Sequence, residues 1–149
     1  MSWASLLASK DAQKHLTSKR ELDNMRRLIA RDLADAALSG LSADRKFATA
    51  YNAALQAANM AVACAGYRIT AQTGHHKISL ESATLALGGI EAQNLTDYFD
   101  TCRRKRNQID YTFSNVATET EAAEILKQTK KFLDLVERWI ARNHPQWAK

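Results

Sequence analysis

Breakers are scarce in this chain. One proline and five glycines among 149 residues are too few to punctuate many short strands, so long helices are favoured. No apolar run approaches the ~20 residues of a membrane span. The N-terminus, Met1-Ser2-Trp3-Ala4-Ser5-Leu6-Leu7, has a short apolar patch without a basic leader, and no signal peptide is expected there. Only two cysteines occur, and Cys64 and Cys102 lack metal-type spacing. They read as buried thiols of a reducing cytoplasm. Gly-rich phosphate loops, nucleophile elbows and paired-carboxylate motifs are missing, as are internal repeats and low-complexity tracts. These absences argue against a membrane protein, a metal centre and the commoner motif-borne enzyme chemistries.

What is present belongs to an ordinary soluble domain. Charged residues make up 25% and hydrophobic ones 46%. The length suits a single domain, residues 1–149, with a proper core. A net charge of +5 permits an acidic partner such as RNA without requiring one.

Five helices are predicted. The first runs from about Ser18 to Leu38, opened by a Ser18/Glu21 capping-box pattern, with Leu22, Met25, Ile29, Leu33 and Ala36 as its apolar stripe. The second runs from about Ser42 to Ala65 along Phe47, Tyr51, Ala54, Leu55, Ala58 and Val62, and Gly66 stops it. Its alanines allow close approach of a neighbour. Tyr67 to Lys77 reads as the longest loop, with Gly74, His75 and His76 near its end. A short third helix follows from about Ile78 to Leu87, ended by Gly88-Gly89. The fourth covers about Glu91 to Tyr111. Thr118 and Glu121 open the fifth, which carries Ile125, Phe132, Leu133, Val136, Trp139 and Ile140 and stops before Pro145. Short connections between long amphipathic helices imply an all-α, up-and-down bundle of four main helices plus one short helix.

The fourth helix holds the most informative run, Arg103-Arg104-Lys105-Arg106-Asn107-Gln108-Ile109-Asp110-Tyr111. Leu95, Phe99, Cys102, Ile109 and Phe113 mark its apolar face, and Arg106 falls on that face. A guanidinium on a core-facing row is costly unless it is paired or lines a cleft, and Asp110 at i+4 is within pairing reach. Arg103, Arg104 and Lys105 read either as a solvated cationic face or as a phosphate-contacting surface. Part of the run also complements the helix dipole. Asn107 reads as a polar residue near a helix end or as a phosphate orienter. Tyr111 lies about 140° around the helix from Arg106 at ~100° per residue, so the two do not converge within one regular helix. Adjacent His75 and His76 point in different directions, which disfavours a zinc site and leaves helix-start packing or a role at a cleft. No metal and no cofactor are expected.

Gly66-Tyr67-Arg68, Gly74-His75-His76 and Arg103-x-x-Arg106-Asn107-x-x-Asp110-Tyr111, set in a helical chain of this size, resemble a bacterial branch of the HEPN superfamily (higher eukaryotes and prokaryotes nucleotide-binding domains). The coarse pattern runs roughly from Arg20 to Trp139. The resemblance implies association with RNA, often as a metal-independent endoribonuclease of a toxin–antitoxin or defence system. It also implies a homodimer in which two motifs share a cleft and, in some members, a nucleotidyltransferase partner acting as antitoxin. The family signature is Arg, four to six residues, then His, with a polar residue directly after the Arg. Arg106 and Asn107 match it, whereas Tyr111 stands at the His position and no histidine occurs between Arg106 and His144. Imidazole titrates near neutral pH, but an unperturbed phenol has a pKa of about 10, so the resemblance implies a weakened or lost ribonuclease. Arg106, Asn107 and Tyr111 are then the catalytic candidates, Arg103, Arg104 and Lys105 the phosphate-binding ones, and Asp110, His75 and His76 supports.

Two other readings remain open. The same helix could dock a nucleotidyltransferase or a second copy of itself as a protein-interaction module. Alternatively, Arg103 and Arg106 could hold a small nucleotide in an accessory domain.

Overall fold

The computed structural model describes residues 1–110 and 114–149, together with the backbone, but not the side chain, of Tyr111. The described residues form six α-helices: α1 (Trp3–Ala8), α2 (Lys19–Ala36), α3 (Ala43–Cys64), α4 (His75–Leu87), α5 (Ile90–Tyr111) and α6 (Glu119–Asn143). Two three-residue strands, β1 (Ala12–Lys14) and β2 (Tyr67–Ile69), pair antiparallel with Ala12 opposite Ile69 and Lys14 opposite Tyr67. A 3-10 turn, Pro145–Trp147, follows α6. The all-α expectation holds. Among the described residues no helix is long and apolar enough to cross a membrane.

Helix α3 is the axis of the bundle, with α2, α4, α5 and α6 packed around it. Its composition explains this. Ala50, Ala53, Ala54, Ala57, Ala58 and Ala61 are all buried, and side chains this small let neighbouring helices come in on several sides. The larger core groups are supplied by the neighbours: Leu22 and Ile29 from α2, Phe99 from α5, and Ile125, Phe132, Val136 and Ile140 from α6. Burying a side chain of this kind contributes about 1.5–3 kcal/mol.

The helix starts follow cap chemistry. Thr118 and Glu121 form a reciprocal capping box on α6. The Ser18/Glu21 pair forms only half of one. Ser18 accepts the Glu21 N–H, but the Glu21 carboxylate instead receives His15 at 2.7 Å and the Thr17 hydroxyl at 2.9 Å. A charged acceptor reached by two nearby donors has less to offer its own cap.

Three expectations need correction. A short first helix and the strand β1 precede α2. The segment read as a long loop contains β2. The short helix starts at His75 rather than Ile78. Gly74 opens it at φ 70° without a side-chain cap, so no cap residue marked its start; only glycine enters that backbone region freely. The two strands are joined by pairing across more than fifty residues of chain, which periodicity does not encode. They gather Leu6, Ala12, Val62, Ile69 and Ala71 into a second small core, with Trp3 stacked on Tyr67 at 4.0 Å.

Two ties fix the ends of the bundle. Asp44, in the first turn of α3, accepts the backbone N–H groups of Asn115 and Ala117, each at 2.7 Å. Arg26 of α2 makes a bidentate pair with Glu137 of α6 at 2.9 Å per bond and donates to the Trp147 carbonyl at 2.8 Å and to Asp23 at 2.8 Å.

Candidate functional site

The basic run occupies the part of α5 nearest the start of α4. Leu95, Phe99 and Cys102 are buried, as their row required, and Ile109 is half-buried against the core. Phe113, the last member expected on that row, lies outside the described residues. Arg106 points inward. Its side chain keeps 18% of its surface exposed and pairs with Asp110 at 3.1 Å. The guanidinium carbon sits 5.9 Å from the centre of the Tyr51 ring, within cation–π range. The Nε–H is buried and meets no acceptor among the described residues. An ionised group with an unmatched buried donor forfeits part of its hydration, and an anion at the open part of the fork would meet its remaining N–H groups.

Tyr51 organises the opposite wall. It is fully buried in α3, and burial holds its phenol in the neutral form, pushing its pKa up against the pull of Arg106 and Arg103. Its hydroxyl oxygen lies 3.4 Å from His76 Nδ1. A phenol both donates and accepts, so this contact orients the imidazole while allowing either tautomer. Burial lowers the His76 pKa, and the nearby charges of Arg106, His75 and Arg103 lower it further. The ring is therefore neutral at pH 7. The first residues of α4 thus bring an imidazole to the arginine on α5, with the α3 tyrosine between them.

The remaining candidates divide. Arg103 lies on the same row, one turn before Arg106, and pairs with Asp100 at 2.9 Å. Arg104 is exposed. Lys105 faces another direction and pairs with Glu121 of α6, so it does not join the Arg106 wall. Asn107 is half-buried. His75 turns away from the Arg106 wall: its Nδ1–H donates to the Ala71 carbonyl at 3.1 Å. The Tyr111 side chain, the reading of which rested on its place in the motif, lies outside the described residues. The run also ends short of the last turn of α5, which holds no basic residue, so dipole compensation accounts for little of it.

Tyr51 is the residue whose part in the site periodicity did not reveal. Its place on an apolar row marked it as core filler, which it is. The one available signal was its type. A phenol among alanines needs a partner for its hydroxyl when buried.

Searches of curated proteins and of solved structures found no match. A family model describing SAV_6107-like HEPN domains matches residues 37–137, a stretch that contains Tyr51, His76, Arg103 and Arg106. The match spans well over half of the sequence, and the chain belongs to the SAV_6107-like HEPN family.

Proposed function

We propose that this chain binds RNA where the end of α5 meets the start of α4, with Arg106 taking a backbone phosphate. The observation that carries the reading is the state of that guanidinium. Asp110 and the Tyr51 ring hold it in place, and part of it remains open. Planar guanidinium suits phosphate geometry. Arg103 and exposed Arg104 guide the flanking backbone, and Asn107 orients the phosphate. Lys105, tied to Glu121, adds only general positive potential.

His76 supplies the imidazole that α5 lacks. In cleavage the 2'-oxygen attacks the neighbouring phosphorus and its proton passes to neutral His76. The bond to the 5'-oxygen breaks, that oxygen takes a proton from solvent, and a 2',3'-cyclic phosphate remains. Arg106 stabilises the charge that develops on the phosphoryl oxygens. With solvent serving the leaving group, the activity is weak. No metal or cofactor has a place in this scheme. The same proposal includes a homodimer through α5, a cytoplasmic location in keeping with two free buried thiols, and a toxin–antitoxin or defence setting with a nucleotidyltransferase-type antitoxin.

The test is a binding and cleavage assay on single-stranded RNA, with and without chelator, comparing wild type, Arg106→Ala and His76→Asn. Binding lost in Arg106→Ala, together with chelator-resistant cleavage lost in both variants, supports the scheme. RNA affinity unchanged in a folded Arg106→Ala protein defeats it.

A further inference from the structure

A second site lies on the other side of the histidine pair. A cavity of about 350 Å³ opens between β2, the start of α2 and the end of α3. Met25, Val62 and Ile69 give it apolar walls, and the polar side chains of His15, Glu21, Asn59, Tyr67, Arg68 and His75 also line it.

The hydrogen bonds already made determine what these groups have left to offer. His15 Nε2 and the Thr17 hydroxyl both reach the same oxygen of Glu21, so its Oε2 has no partner among the described residues and is a free acceptor. The Ala71 carbonyl can only accept, so it holds the proton of His75 on Nδ1 and leaves the Nε2 lone pair available. Arg68 sits close enough to help hold Glu21 ionised, alongside hydrogen bonds from His15 and Thr17 that together outweigh burial. The cavity therefore offers a carboxylate oxygen and an imidazole nitrogen as acceptors, a guanidinium as donor, and an amide that serves as both. Its walls suit a flat apolar ring. A simple cation would find Glu21 but would also meet Arg68.

Among the nucleobases, only guanine presents two adjacent N–H donors (the ring N1–H and the 2-amino group) beside a carbonyl acceptor. Uracil places carbonyls on both sides of its single donor. Adenine and cytosine each pair one amino group with a ring acceptor. Two acceptors set for neighbouring donors, with an arginine at the carbonyl, form a guanine pattern. We infer that this cavity takes a guanine base, with Glu21 Oε2 accepting from its 2-amino group, His75 Nε2 accepting from its N1–H and Arg68 donating to its O6.

The inference rests on the RNA reading for its biological setting. The His75 and His76 rings are 6.1 Å apart; one lines this cavity and the other faces the Arg106 wall. A nucleotide whose base enters the cavity brings its phosphate toward Arg106, so the cavity would set which base lies beside the bound phosphate.

The experiment uses the full chain. Guanosine, inosine, adenosine and uridine are titrated by calorimetry, and short single-stranded RNAs with and without one guanine are titrated in parallel. The proteins are wild type, Glu21→Gln, Arg68→Ala and Arg106→Ala. Guanosine is expected to bind, with inosine, which lacks the 2-amino group, about tenfold weaker. Glu21→Gln should remove that preference. Arg68→Ala, which changes an exposed strand residue, should weaken guanosine without unfolding the chain, and it decides the matter if Glu21→Gln fails to fold. Equal binding of all four nucleosides, or binding of none, overturns the guanine pocket. RNA binding that depends on Arg106 but ignores guanine overturns the pocket and leaves the phosphate reading standing. Guanosine binding without any RNA affinity overturns the phosphate reading and leaves the pocket standing.

Discussion

Replacing Arg106 with alanine separates a structural role from a binding role, because the two carry different magnitudes. The structural part is small. An i,i+4 pair on a helix contributes about 0.3–0.5 kcal/mol, and the Tyr51 contact about 0.5–2 kcal/mol. Asp110 keeps 23% of its side chain exposed, so water can replace the lost partner. The total destabilisation is about 1–2 kcal/mol. For a domain of this size each kcal/mol lowers the melting temperature by roughly 2–4 °C. The binding part is larger. A hydrogen bond to a charged group contributes about 1.5–3 kcal/mol, which is a loss of roughly 10- to 150-fold in RNA affinity. Removing one phosphate contact from a single strand should also flatten the dependence of log K on log salt by about 0.7. The assay is fluorescence anisotropy of a labelled RNA at several salt concentrations, run beside thermal melts. Arg138→Ala is the charge control, since that arginine pairs with Asp134 on the exposed face of α6. If both variants lose the same affinity and the same slope, Arg106 contributes only general charge and the reasoning fails.

Other predictions follow from the same contacts. Tyr51→Phe removes the hydroxyl beside His76 and should cost about 1 kcal/mol; NMR titration of the ring should show an altered His76 pKa, and an identical titration would show that the 3.4 Å contact is idle. Because burial lowers the folded-state pKa of His76, its share of stability is full above the unfolded value of about 6.5 and is lost as pH falls from there through the lowered folded value. Denaturant melts across that window should slope in wild type and flatten in His76→Asn. Arg26→Ala strands the Glu137 carboxylate at 14% exposure and should cost about 3–5 kcal/mol, and Arg26→Lys should rescue little because an ammonium cannot reproduce the fork. The Cys64 and Cys102 thiols, pushed up by burial to about 12 and about 11, should resist alkylation in the native protein and react on unfolding.

Much of the bundle was legible because periodicity and caps are local signals. Ser18 and Thr118 each sit at the N-cap expected of them, and Ser42 caps the helix expected to start near it. Rows such as Leu95, Phe99 and Cys102 turned inward as their spacing required. The inward turn of Arg106 and its pairing with Asp110 followed from the same arithmetic. Elements held by remote partners were not legible. The strand pair is three residues per strand and exists only because Gly66 ends α3 where the chain before α2 can meet it. Nothing in the spacing of His76 tells that Tyr51 lies beside it, since the two belong to different helices. His75 and His76 were rightly seen to diverge, but the destination of each ring depends on the packing of α4 against α3.

The Arg26–Glu137 clasp has a consequence for how this fold is cut and compared. Glu137 is the last residue of the stretch shared with the family and Arg26 lies well before its first, residue 37, so the clasp straddles the homology boundary. A fragment trimmed to the shared stretch would strip the alanine-lined central helix of one flank and leave an acid stranded at its own terminus. The kinship ends before the architecture does: the leading quarter of the chain is a wall of the building, not an appendage to it.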